Sequence, residues 1–171
     1  DMAGHQVKAG GNTNGDYGFV VDGDYAVEFE NANLLGGGIN AKYGAEITFK
    51  GGSLAQKLYG STSRYSFYAG SNTEDKAVIT IEGGDFSFAP GANPNNSYVC
   101  ANGNAVVYIK GGNFGEHNPV RDYKPIVEGT WGEYTGDVII TGGTFKFDPS
   151  QWVAEGYQAV KSGSNWTVQP K

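Results

Sequence analysis

The densest run of side chains able to do chemistry is Gly115–Lys124, GEHNPVRDYK. Glu116 and His117 are of the types that exchange protons as acid and base. Arg121, with Asp122 beside it, is of the type that grips a carboxylate through paired N–H groups. The same composition describes a polar surface loop whose charges pair locally, and the segment reads first in that way. A catalytic groove would need matching clusters at the same place in neighbouring repeats, and none is found. No residue is assigned a catalytic role, no metal site is expected, and no cofactor is implied.

A second group is aromatic. Trp131 and Tyr134, with Tyr123, could form a platform for a sugar ring, because a saccharide has one apolar and one polar side. The competing reading folds Trp131 back as a lid on the edge of the core. Trp152 and Tyr157 read as packing groups for a short helical turn, in which Asp148 caps and Pro149 begins the helix. Tyr59, Tyr65, Phe67 and Tyr68 read as core and core-edge aromatics. Cys100 is the only cysteine, which excludes an internal disulfide framework and any multi-cysteine metal site. It reads as a small buried hydrophobe.

The elements that must position these residues follow from an internal repeat. AEITFKGG (Ala45–Gly52) recurs as AVITIEGG (Ala77–Gly84), AVVYIKGG (Ala105–Gly112) and GDVIITGG (Gly136–Gly143). YAVEFENA (Tyr25–Ala32) is a degenerate earlier copy, and Asn165–Val168 a final half-copy. Each alternates apolar and polar residues with period two, as a strand does. Two residues before the glycines stand Phe29, Phe49, Ile81, Ile109, Ile140 and Val168; four before stand Val27, Ile47, Ile79, Val107, Val138 and Trp166. These two columns must face one core. After the glycines Leu54, Phe86, Phe114 and Phe145 re-enter it. The column immediately before the glycines, Glu30, Lys50, Glu82, Lys110 and Thr141, alternates in charge and predicts an outward ladder of ion pairs between stacked units.

Short strands also precede the copies, at Gly18–Asp22, Ser66–Gly70, Tyr98–Asn102, Pro125–Gly129 and Gln158–Ser162; which parity of these faces inward stays open. Identical columns over long sequence steps favour parallel stacking, since a hairpin would mirror the pattern. The fold expected is therefore all-β, a right-handed parallel β-helix of about six rungs, a stiff rod about 29 Å long at about 4.8 Å per rung. Residues 1–16 read as a polar arm or cap, and 17–171 as one domain. Thr130–Thr135 reads as an aromatic loop.

Composition agrees. Gly is 28 of 171 residues while aromatics make up 13%, which means tight turns between strands rather than a flexible linker. The net charge of −6 leaves no footprint for nucleic acid or an anionic membrane surface. No apolar run is long enough to span a bilayer.

The IxIxGGxF units resemble the right-handed parallel β-helix repeats of the pectin-lyase-like type. Val138–Gln169 is similar to the terminal repeat of β-helical modules in bacterial cell-surface proteins and phage structural proteins. Such a resemblance speaks for fold more than for function. The polygalacturonase-like members carry clustered aspartates and a Gly-His-Gly motif, to which Gly4-His5-Gln6 is a poor match. The pectate-lyase-like members stack acidic calcium ligands, whereas the stacked column here alternates in sign. No catalytic residue carries over. The expectation is a non-enzymatic extracellular module, on a cell surface or a virion, serving as a rigid stalk or adhesive surface. Its partners would be a carbohydrate or host-surface receptor and neighbouring domains of a longer chain. A phage tail or capsid component binding a host glycan, and a polysaccharide lyase or glycoside hydrolase, are the alternatives.

Overall fold

The computed structural model describes residues 6–8, of which only the backbone pairing is considered, and residues 18–57, 65–117 and 123–171. Over these the chain is all-β and winds as a parallel β-solenoid. The first coil is β2 (Phe19–Asp22), β3 (Ala26–Phe29) and β4 (Ala32–Gly36), with β1 (Gln6–Lys8) beside β4. The second is β5 (Ile39–Lys42), β6 (Glu46–Phe49) and β7 (Gly52–Gln56). The third is β8 (Tyr65–Ser71), β9 (Ala77–Ile81) and β10 (Asp85–Phe88). The fourth is β11 (Ser97–Gly103), β12 (Ala105–Ile109) and β13 (Asn113–Phe114). The fifth is β14 (Ile126–Trp131), the short β15 (Tyr134–Thr135), β16 (Asp137–Ile140) and β17 (Thr144–Phe145). A 3₁₀ turn at Ser150–Trp152 leads to β18 (Tyr157–Ser162) and β19 (Asn165–Pro170).

Coils stack into three walls. The repeat columns are ladders of the middle wall: Val27, Ile47, Ile79, Val107 and Val138 are successive partners, as are Phe29, Phe49, Ile81, Ile109 and Ile140. The next wall stacks Leu34, Leu54, Phe86, Phe114 and Phe145. The remaining wall settles the open parity. Phe19, Ile39, Phe67, Val99 and Ile126 lie in register, with Val21, Ala41, Ala69 and Ala101 in the next inward column. From the second coil onward these inward residues are buried, so the core is one continuous apolar column along the axis.

Three expectations need correcting. The coil count falls short of six: among the described residues five coils supply a strand to every wall, and β1 adds a further parallel strand beside β4 in one wall alone. The sixth unit does not stack, because β18 and β19 are joined across Gly163 and Ser164, a link too short for a parallel crossover. They form an antiparallel hairpin laid on β17, with Trp166 opposite Phe145, and Val168 is buried at the end of the core. The strand β5 has no counterpart among the short strands read from sequence. The aromatic loop at Thr130–Thr135 is a hairpin in which Trp131 faces Tyr134.

Candidate functional site

Turns between the β2-type wall and the middle wall stack along one corner of the solenoid. Their aromatics come from different coils. Tyr25 follows the first, is 68% exposed, and lies over Gly23. Tyr43 follows the second with a left-handed backbone, φ 46°, a conformation a bulky residue rarely adopts. Its N–H donates to the Gly70 carbonyl of the third coil. Trp131 ends the first strand of the fifth coil and lies across Gly103, where a Cβ would stand 2.9 Å from the Trp131 Cβ. The Tyr43 and Trp131 rings meet with centroids 6.0 Å apart and planes tilted by 52°. Both are half-buried, so each keeps surface toward solvent.

Beside Tyr43 runs a groove of about 630 Å³, lined by Asp24, Tyr43, Gly44, Glu74, Asp75 and Lys76. Gly44 separates the acids of neighbouring coils: a Cβ there would lie 3.6 Å from the Asp75 Cβ and 3.7 Å from the Asp24 Cα. The 72–76 turn is held by Asn104, whose Nδ2 donates to the Thr73 and Glu74 carbonyls at 3.0 and 2.9 Å. Aromatic surface beside carboxylate acceptors suits a polyhydroxylated ligand that offers C–H groups on one side and hydroxyls on the other. Among the described residues no group of three His, Cys, Asp or Glu side chains is placed to hold a metal ion.

The aromatics read together from sequence are divided by the structure. Trp131 and Tyr134 are cross-strand neighbours, but Tyr123 lines a separate cleft with Tyr65, Lys124, Gln151 and Trp152. Tyr43 takes its place as the partner of Trp131, and the sequence reading passed it over. The available signal was Lys42-Tyr43-Gly44 at a strand end, a turn that throws a bulky ring outward.

The polar segment also divides. His117 is half-buried between the rings of Phe88 and Phe147, centroids 6.3 and 6.5 Å away, and its Nε2 lies 3.1 Å from the Asn96 carbonyl. Burial pulls its imidazole below the usual range, against the opposing pull of that carbonyl. Glu116 contributes its backbone carbonyl, which accepts from the Tyr98 hydroxyl at 3.1 Å. Arg121 and Asp122 lie outside the described residues, as does Tyr59. Cys100 is buried, with its thiol pushed up to about 12 by desolvation, so it is not a nucleophile at neutral pH.

The charged column stacks along the outer middle wall, each backbone N–H from Lys50 to Thr141 donating to the coil before it at 2.8–2.9 Å. Lys50 Nζ lies 2.8 Å from Glu30 and 2.9 Å from Glu28, whereas Lys110 lies 3.9 Å from Glu82. The hydrogen bonds that Lys50 donates to Glu30 and Glu28 hold its ammonium above its ordinary range, and the one that Glu30 accepts holds the Glu30 carboxyl below its own. No family model matches the chain, and neither a curated protein nor a solved structure does.

Proposed function

We propose that this chain is a pectin-lyase-like β-solenoid module of an extracellular surface protein, a stiff stalk that presents a glycan-binding corner. The observation that carries the reading is the Tyr43–Trp131 ring pair, built from two coils that are not neighbours. A stacked wall fixes the spacing of such rings without any loop rearrangement, which suits a rigid repeating ligand. The adjoining groove adds hydroxyl-binding acceptors. Partners under this reading are a carbohydrate or host-surface receptor and the neighbouring domains of a longer chain.

The test is a glycan array probed with the purified chain and with Trp131→Ala and Tyr43→Ala, each checked for native circular dichroism. Specific binding that both substitutions abolish is the expected result. A blank array, or binding that survives both substitutions, overturns the glycan reading and leaves a spacer.

A further inference from the structure

The charges around the Tyr43–Trp131 ring pair are one-sided. The turns of this corner run through residues 23–25, 43–45, 72–76 and 132–133 in the first, second, third and fifth coils, and in the fourth the corner is Asn104 alone. Asp24, Glu74, Asp75 and Glu133 in these turns are acidic, Lys76 is basic, and all five are exposed. Asp22 and Lys42, at the strand ends beside them, stand opposite one another in the β2–β5 ladder and balance in charge. The outer middle wall is built differently: there Lys50 meets Glu28 and Glu30, and Lys110 approaches Glu82.

The acids of the corner converge on the rings. Gly44 has φ 93°, which favours glycine, and with no side chain there Asp24 of the first coil and Asp75 of the third border one space. Tyr43 lines that same groove, and its ring also meets Trp131. The Trp131 hairpin reaches the same turn from the fifth coil: the Asn72 Cβ lies 4.0 Å from the Cβ position of Gly132. A polyuronate laid on the rings would bring its carboxylates against like charge. A neutral saccharide would gain ring contact and hydroxyl acceptors. A saccharide with protonated amines would gain ion pairs as well, and an aromatic face adds attraction for a cation.

We propose, resting on the glycan reading above, that this corner selects a cationic saccharide, an oligomer of hexosamine with free amino groups, and that Asp24 and Asp75 set the selection against polyuronate. Tyr43 and Trp131 hold the sugar rings, and the two carboxylates read the charge the sugar carries. The selectivity is electrostatic and exposed, so salt weakens it.

The experiment is isothermal titration calorimetry of the full chain with three tetrasaccharides at pH 5.5: glucosamine, N-acetylglucosamine and galacturonate. The first two differ at the amine and share their ring geometry. The glucosamine tetramer is expected to bind about tenfold more tightly than the acetylated one at low ionic strength, the effect of two exposed ion pairs. The galacturonate tetramer is expected to give no heat. The advantage shrinks to about twofold or less near 1 M salt, where the screening length is about 3 Å. Asp24→Asn combined with Asp75→Asn, both exposed and isosteric, removes most of the advantage while the acetylated tetramer binds as before. Glu82→Gln, an acid on the middle wall, leaves the advantage intact and so separates this corner from the general negative charge of the chain. The proposal is overturned if galacturonate binds as well as glucosamine, if the double variant keeps the full advantage, or if Glu82→Gln removes as much of it. Equal binding of the glucosamine and acetylated tetramers, lost in Trp131→Ala and Tyr43→Ala, overturns this inference and leaves the glycan reading standing. Binding of none of the three overturns this inference, and the glycan reading with it where the array is also blank.

Discussion

The rings of Phe114 and Phe145 stack with centroids 4.8 Å apart and planes within 7°. That separation matches the spacing between hydrogen-bonded strands, so the ladder sets the ring stack and the stack in turn holds register. Phe86 continues the column at 4.8 Å from Phe114, with a 42° tilt.

Truncating the middle of this column is therefore costly. Phe114→Ala leaves a void between two rings in a fully packed wall and is expected to destabilise the fold by about 3–5 kcal/mol, with Phe114→Leu much milder. Equilibrium urea unfolding measures both. Equal, small losses for the two would mean that the stack contributes little beyond hydrophobicity.

The glycine pairs serve two separate needs. At Gly111 a Cβ would stand 2.2 Å from the Glu82 carbonyl oxygen of the coil before; Gly112 has φ 103°. Gly51, at the equivalent place one turn from the first coil, has no atom within 4 Å of its Cβ position. Gly111→Ala and Gly112→Ala are each expected to cost more than about 1 kcal/mol, while Gly51→Ala is neutral or slightly stabilising. Thermal melts of the three variants decide it. A destabilised Gly51→Ala would place a close contact where the geometry has open space.

Most of the solenoid was legible because burial repeats. The columns through Ile47 and Phe49, and the Phe86–Phe145 column, carry the same residue classes in successive coils, so one strand teaches the next. The wall of Ile39, Phe67 and Val99 was harder, because its second inward column is alanine, which reads poorly as core, and its strand starts bury both faces: Tyr98 and Val99 are both fully buried. The hairpin at β18–β19 was misread because Trp166 and Val168 have the right residue types in the right alternation; only the two-residue link between the strands distinguishes the two topologies. Of the Tyr43–Trp131 ring pair the sequence singles out Trp131 and not Tyr43, since a contact across non-adjacent coils leaves no trace in local spacing.

The outward charges predict a graded salt effect. Lys50 contacts two carboxylates at 2.8 and 2.9 Å, whereas Lys110 approaches one at 3.9 Å. Lys50→Gln should lower Tm more than Lys110→Gln at low ionic strength. The gap should close near 1 M salt, where the screening length is about 3 Å. A gap that persists in high salt would assign the loss to packing of the Lys50 stem rather than to its charge.

His117 makes stability depend on pH with a definite sign. Desolvation between Phe88 and Phe147 lowers its folded-state value below the ordinary imidazole value of 6.5, so in the window beneath 6.5 the unfolded chain binds more protons than the folded one. Its neutral form is fully favourable to folding above about 6.5, and that contribution is lost as pH falls from there toward the folded-state value. Tm measured from pH 7.5 down to pH 5 should therefore fall more steeply for the parent than for His117→Gln, which packs differently but does not titrate. Parallel curves would mean that the ring is as well solvated in the folded chain as in the unfolded one, and a steeper fall for His117→Gln would reverse the assignment of burial as the dominant influence on this side chain.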